Sequence, residues 1–143
     1  MTLVDKLNLV RFVTAQTSIY EQALHELRSG RKRTHWMWFI FPQVMGLGNS
    51  ARSRYYAISG SEEATAYLEH QTLGPRLISC TTTILAHSTK PACEILGRLD
   101  TIKLQSCMTL FDAIQDQSFI FAEVLSAFFN GERDTKTLSL LEA

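Results

Sequence analysis

No apolar run in this chain is longer than six residues, Trp36 to Phe41, whereas a membrane-crossing helix needs about 20. The sequence therefore excludes a helical transmembrane segment. The first residues, Met1 to Lys6, have neither a basic start with a long apolar stretch behind it nor a cleavage-site pattern. No secretory signal is visible, and a cytoplasmic location is the expectation. Cysteine is scarce: Cys80, Cys93 and Cys107 are odd in number and widely spaced, which fits neither a disulfide framework nor a CxxC metal pair. All three are expected to be buried free thiols, and no metal or cofactor is expected. No run of useful length alternates apolar with polar residues, so the sequence offers no convincing sheet. The catalytic signatures are missing too, with no GxSxG elbow, no HExxH and no glycine-rich loop ending in GKS or GKT.

What is present is globular: 143 residues, 45% apolar and 20% charged, enough for one core and short for two. One helical domain over residues 1–143 is expected. Fourteen basic residues balance fourteen acidic ones, which argues against a dedicated nucleic-acid binder. The balance is not local, because no acidic residue lies between Leu27 and Ser61, where Arg28, Arg31, Lys32, Arg33, Arg52 and Arg54 all fall. A local positive patch suits an anionic ligand.

Helix signals dominate. Leu9, Phe12 and Val13 mark a short helix. Ser18 with Glu21 has capping-box spacing, ahead of Tyr20, Ala23, Leu24 and Leu27 on one face and Gly30 as the left-handed stop. A short helix is expected before Pro42, and another begins after a cap at Asn49 or Ser50. Ser61 and Thr72 are read as caps of the next two, the second with Leu73, Leu77, Thr81, Ile84 and Leu85 inward. Lys90-Pro91 opens a short helix that stops at Gly97. Asp100 reads as the cap of a longer one, with Leu99 and Leu104 as a hydrophobic staple and Phe111 inside. Ser118 opens a helix carrying Val124, Leu125, Phe128 and Phe129, and Asp134 caps the last. The expected class is all-α.

The most unusual segment is RKRTHWMWFIFPQ, which sets both tryptophans two apart beside three consecutive cations. An aromatic face can hold a flat ring while guanidinium groups clamp a phosphate. On that reading Arg31, Lys32 and Arg33 form the clamp, His35 donates, and Trp36 or Trp38 is the stacking wall. Asn49, Ser50 and Arg52 follow the GLG turn, where free amides can receive an anion. On the plainer reading the aromatic residues are core, the cations are a solvated edge, and His35 satisfies a buried carbonyl.

At RKRTHWMWFIFPQ, GLGNS and CMTLF the chain resembles a bacterial all-α family of unknown function that is sometimes mislabelled calpastatin. The resemblance extends from RFVTAQ through YEQALHELRSGRK, YYAISGSEEATAYLEH and LGPRL to KLQSCMTLF. It implies a multihelical fold and brings no accepted activity. Cys107 stands where serine is usual in that family, which speaks against a catalytic hydroxyl there.

Two functions remain open. One is binding, with hydrolysis as an extension, of a phosphorylated nucleotide-like small molecule such as an ADP-ribose derivative. The alternative is a non-catalytic helical module that docks an acidic protein partner.

Overall fold

The computed structural model describes residues 6–114 and 119–142. Among them lie ten helices and no strand: α1 Val10–Thr17, α2 Tyr20–Arg28, α3 Met37–Ile40, α4 Ala51–Tyr55, α5 Ser61–Glu69, α6 Leu73–Leu85, α7 Ala92–Leu96, α8 Arg98–Ile114, α9 Ile120–Phe129 and α10 Thr135–Glu142. The all-α expectation holds.

Helix α8 is the axis of the packing. Cys107, Met108, Thr109, Leu110 and Phe111 are consecutive and all buried, so this stretch is apolar around most of its circumference, as a helix enclosed by others must be. Helices α5, α7, α9 and α10 pack on it, and α6 bridges α2, α5 and α9. The inward faces expected from spacing are inward: Leu9 just before α1 and Phe12 on it, Ala23, Leu24 and Leu27 on α2, Leu73, Leu77, Thr81 and Ile84 on α6, Val124 and Leu125 on α9.

Several helix starts differ from expectation. Helix α2 begins after Ile19 with no side-chain cap, and the Ser18 amide instead closes α1 on the carbonyl of Gln16. The capping box therefore does not form, because the α1–α2 joint uses Ser18 as a stop. Ser61 lies inside α5, after Gly60, and the start of that helix is secured by Glu63, whose carboxylate accepts from the Ser59 amide at 2.8 Å. Thr72 precedes α6, but its side chain caps nothing, and His70 Nδ1 accepts from the amides of Thr72 and Leu73. Asp100 is within the first turn of α8, and Leu99 is exposed, so neither the cap nor the staple exists. Ser118 lies outside the described residues. Cys93 is exposed, against expectation, while Cys80 and Cys107 are buried.

Other expected ends are realised. Ser50 Oγ accepts from the Ser53 amide at the start of α4. Gly30, at φ +77°, ends α2 as a Schellman motif, with its amide on the Leu27 carbonyl and that of Arg31 on Glu26.

Glycine is also required at position 74, for space. A Cβ there would lie 2.1 Å from the carbonyl oxygen of Leu68, where the end of α5 crosses the first turn of α6. Gly74→Ala is expected to cost about 1 to 3 kcal/mol, as overpacked sites do, despite the better helix propensity of alanine. Chemical denaturation of the two proteins measures it; equal midpoints would show that the two helices part freely.

Arg11, which sequence spacing did not single out, ties α1 to the middle of the chain. Its guanidinium donates to the carbonyls of Leu7, Asn8, Tyr55 and Ala57 and pairs with Glu63 at 2.8 Å. Next to it, Ile58 lies alongside Val44 as an isolated parallel bridge: the Ile58 amide donates to the Gln43 carbonyl and the Met45 amide to the Ile58 carbonyl, both at 2.8 Å. The residues just after Pro42 are thereby fixed in place.

Candidate functional site

The basic segment is shaped by a single acid. Glu26, on α2, is buried and accepts five hydrogen bonds: at Oε1 from the Arg33 and Thr34 amides and Trp36 Nε1, and at Oε2 from Thr34 Oγ1 and Gln22 Nε2. Burial acts to raise its pKa, but the bonds from Thr34, the Arg33 amide and Gln22 outweigh it and hold the carboxyl down to about 2. The loop from 31 to 36 is thus wrapped on an ionised carboxylate. Trp36 is pulled inward, 1% exposed, with its indole N–H already used.

Trp38 is different. It is only half-buried, and its indole is a common wall between two concavities. On one side is a cleft of about 370 Å³ whose lining is mainly apolar, formed with Leu47, Leu99 and Ile102 and bordered by Gln43, Gly48, Lys103, Ser106, Asp134 and Lys136. On the other is a smaller polar recess of about 100 Å³ lined by Lys32, His35, Arg52, Asp100 and Lys103 with Trp36 and Met37. The larger volume lies within the range of small-molecule sites.

Asp100 sits between two cations. Lys32 Nζ is 2.9 Å from Oδ2 and Lys103 Nζ 3.1 Å from Oδ1. Burial pushes this carboxyl upward, yet the hydrogen bonds and charges of the two lysines prevail, and its pKa is lowered. One carboxylate cannot neutralise two ammonium groups, so positive charge is left over, and Arg52 has no acidic partner among the described residues. The Lys103 ammonium also stands 4.4 Å from the centre of the Trp38 ring, a favourable cation–π contact.

The glycine turn closes the cleft. A Cβ on Gly48 would meet Ser53 Oγ at 2.8 Å, and Gly46, at φ +106°, lets the loop lie against Leu140 of α10. At the start of α10 Asp134 accepts from Ser106 Oγ at 2.8 Å and from Thr137 Oγ1, while its amide donates to Thr109 Oγ1 at 2.9 Å. These bonds hold α10 against α8 and so set the far wall.

Of the sequence-predicted site residues, Lys32, His35, Trp38 and Arg52 come together here. Arg31 and Arg33 do not: both are exposed and line neither concavity, because the loop's wrap on Glu26 turns their side chains to solvent. Trp36 is core and cannot serve as the stacking wall. Asn49 is exposed and away from both concavities, and Ser50 is committed to its helix cap. His35 is exposed and satisfies no buried carbonyl among the described residues. Glu63 takes no part in either concavity and is buried against Arg11.

Sequence reasoning missed Lys103, Lys136 and Gln43 and gave Asp100 and Asp134 only capping roles. The one available signal was the Asp100–Lys103 spacing on a single helical face; Gln43 carried none.

The chain matches the family described as Protein of unknown function (DUF1810) over residues 6–141. It belongs to that family. Another fold of the same kind is the crystal structure of the conserved hypothetical protein Rv1873 from Mycobacterium tuberculosis. It is 45% identical, with a TM-score of 0.94, over 96% of this chain and 99% of that one. No protein of curated function matches the chain. Family membership of this DUF1810 chain thus agrees with the multihelical fold and supplies no reaction.

Proposed function

We propose that the concavities on either side of Trp38 bind a phosphorylated, nucleotide-like small molecule, its phosphate in the recess and its ring in the cleft. The observation that carries this reading is the shared indole wall, which places an apolar cleft next to a recess holding Lys32, His35, Arg52 and Lys103. Ring and anion subsites in contact are what a nucleotide requires, and neither alone would select one. The surplus positive charge left by the shared Asp100 supports an anionic ligand. Asp100 is itself a poor water-activating base, since two lysines stabilise its ionised form.

A thermal-shift series with ADP-ribose and nucleoside phosphates tests the reading. A ligand at one hundred times its dissociation constant should stabilise the protein by about 2.7 kcal/mol, and less as salt screens the recess. Arg52→Ala should remove most of that stabilisation, whereas the double variant Arg31→Ala/Arg33→Ala should retain it. Absence of any stabilising phosphate, or full binding by Arg52→Ala, would reject the proposal.

The exposed Leu99 (63%) and Ile102 (56%) at the cleft rim favour a second reading, a helical module for an acidic protein partner. Under that reading Leu99→Ser/Ile102→Ser would abolish partner capture and no small phosphate would shift the melting curve.

A further inference from the structure

Gln43 is 9% exposed, yet its Nε2 is buried and has no hydrogen-bond partner. Its side-chain oxygen also takes part in no hydrogen bond among the described residues. A buried amide nitrogen left in that condition is costly, and native interiors seldom tolerate one without a reason. Its backbone is not loose, since the Gln43 carbonyl is locked to the Ile58 amide at 2.8 Å. The side chain borders two spaces. One, shared with Ser53 and Tyr56, is only about 20 Å³, room for nothing larger than a water molecule. The other is the cleft beside Trp38.

We infer that Gln43 is the specificity-determining residue of the cleft, reading the polar edge of a flat heteroaromatic ring, a nucleobase or a ring bearing a carboxamide. The inference rests on the ligand reading above. Nε2 is enclosed, so the end of the amide left to a ring in the cleft is the oxygen, which accepts from a ring N–H or an exocyclic amine. An aromatic hydrocarbon could fill the same space against Trp38 and Leu47 but would leave the amide unpaired. Sites built to pair a polar edge discriminate strongly against analogues that lack it.

Calorimetric titration of the full chain with the four nucleoside monophosphates, phenyl phosphate and ribose 5-phosphate tests this. Phenyl phosphate keeps ring and anion but has no polar edge; ribose 5-phosphate has no ring. At least one nucleotide should bind about tenfold or more tighter than phenyl phosphate, the effect of one good hydrogen bond. In Gln43→Met that advantage should shrink to within about twofold, with the affinity for phenyl phosphate unchanged. Gln43→Leu should behave alike, and both should melt no lower than the wild type, since an unpaired buried amide is removed. Equal affinity of the wild type for nucleotides and phenyl phosphate would overturn the role of Gln43 while leaving the ligand site standing. So would a nucleotide advantage that survives in either variant. If no phosphate binds at all, the ligand reading fails and Gln43 has nothing to read.

Discussion

Glu26→Ala is expected to destabilise the protein by about 3 to 5 kcal/mol. Hydrogen bonds to a charged group contribute roughly 1.5 to 3 kcal/mol each, and orphaned buried donors cost 1 to 3; the substitution affects five bonds at once. The most costly orphan is Trp36 Nε1, which is buried and has no access to water. Some of the other donors reach solvent, which is why the total stays well below five full bonds. The loss should appear in the urea midpoint.

The same residue gives a pH signature. Its carboxyl is held at about 2 against an ordinary 4.5, so the folded form binds this proton less readily than the unfolded one. The stabilisation is full above pH 4.5 and is lost as pH falls toward 2. At about 1.4 kcal/mol for each pKa unit it amounts to roughly 3 kcal/mol. Glu26→Gln keeps an oxygen for the amides and the indole, so its stability at pH 7 should lie nearer to the wild type than that of Glu26→Ala. Its stability should also fall less steeply between pH 5 and 2. Asp100, whose pKa is likewise lowered, leaves a residual slope in the same direction. An unchanged acid profile in Glu26→Gln would show that Glu26 is not the acid that matters.

Phe111→Ala should cost about 3 to 5 kcal/mol, as large aromatic truncations in cores do. The ring is fully buried near the C-terminal end of α8 and touches Tyr67 of α5 and Phe121 of α9, at centroid separations of 5.5 and 5.7 Å. Removing it would open a cavity where three helices meet, with little freedom for α8 to relax because helices surround it. A loss below about 0.5 kcal/mol, the range of surface sites, would mean that the core is not organised around this helix.

The helical class and most inward faces were legible in the residues. Leu73, Leu77, Thr81 and Ile84 repeat at helical spacing, and the same local geometry that creates the repeat buries it. Helix ends were read less well. Ser18, Ser61 and Thr72 have the right chemistry for caps, but a cap competes with other partners. Here the Ser18 amide closes α1, Glu63 takes the Ser59 amide ahead of α5, and the His70 ring takes the amides of Thr72 and Leu73.

The candidate site was half legible for a related reason. Composition pointed to the segment from Arg31 to Arg52, and Lys32, His35, Trp38 and Arg52 do meet there. Which tryptophan faces outward was not available from the sequence, since Trp36 and Trp38 are alike in type and flanking. A carboxylate ten residues upstream decided it by taking the Trp36 indole N–H. Nor could spacing bring Lys103, Asp134 and Gln43 to one cleft, because α8, α10 and the turn after Pro42 are brought together by tertiary packing and by long-range bonds such as those of Asp134 to Ser106 and Thr109. Local periodicity therefore determined the class of fold, the core faces and the charged segment. The tertiary structure decided which of those charges are paired, which aromatic ring is open, and which buried amide is left without a partner, because each of these depends on what distant segments place beside it.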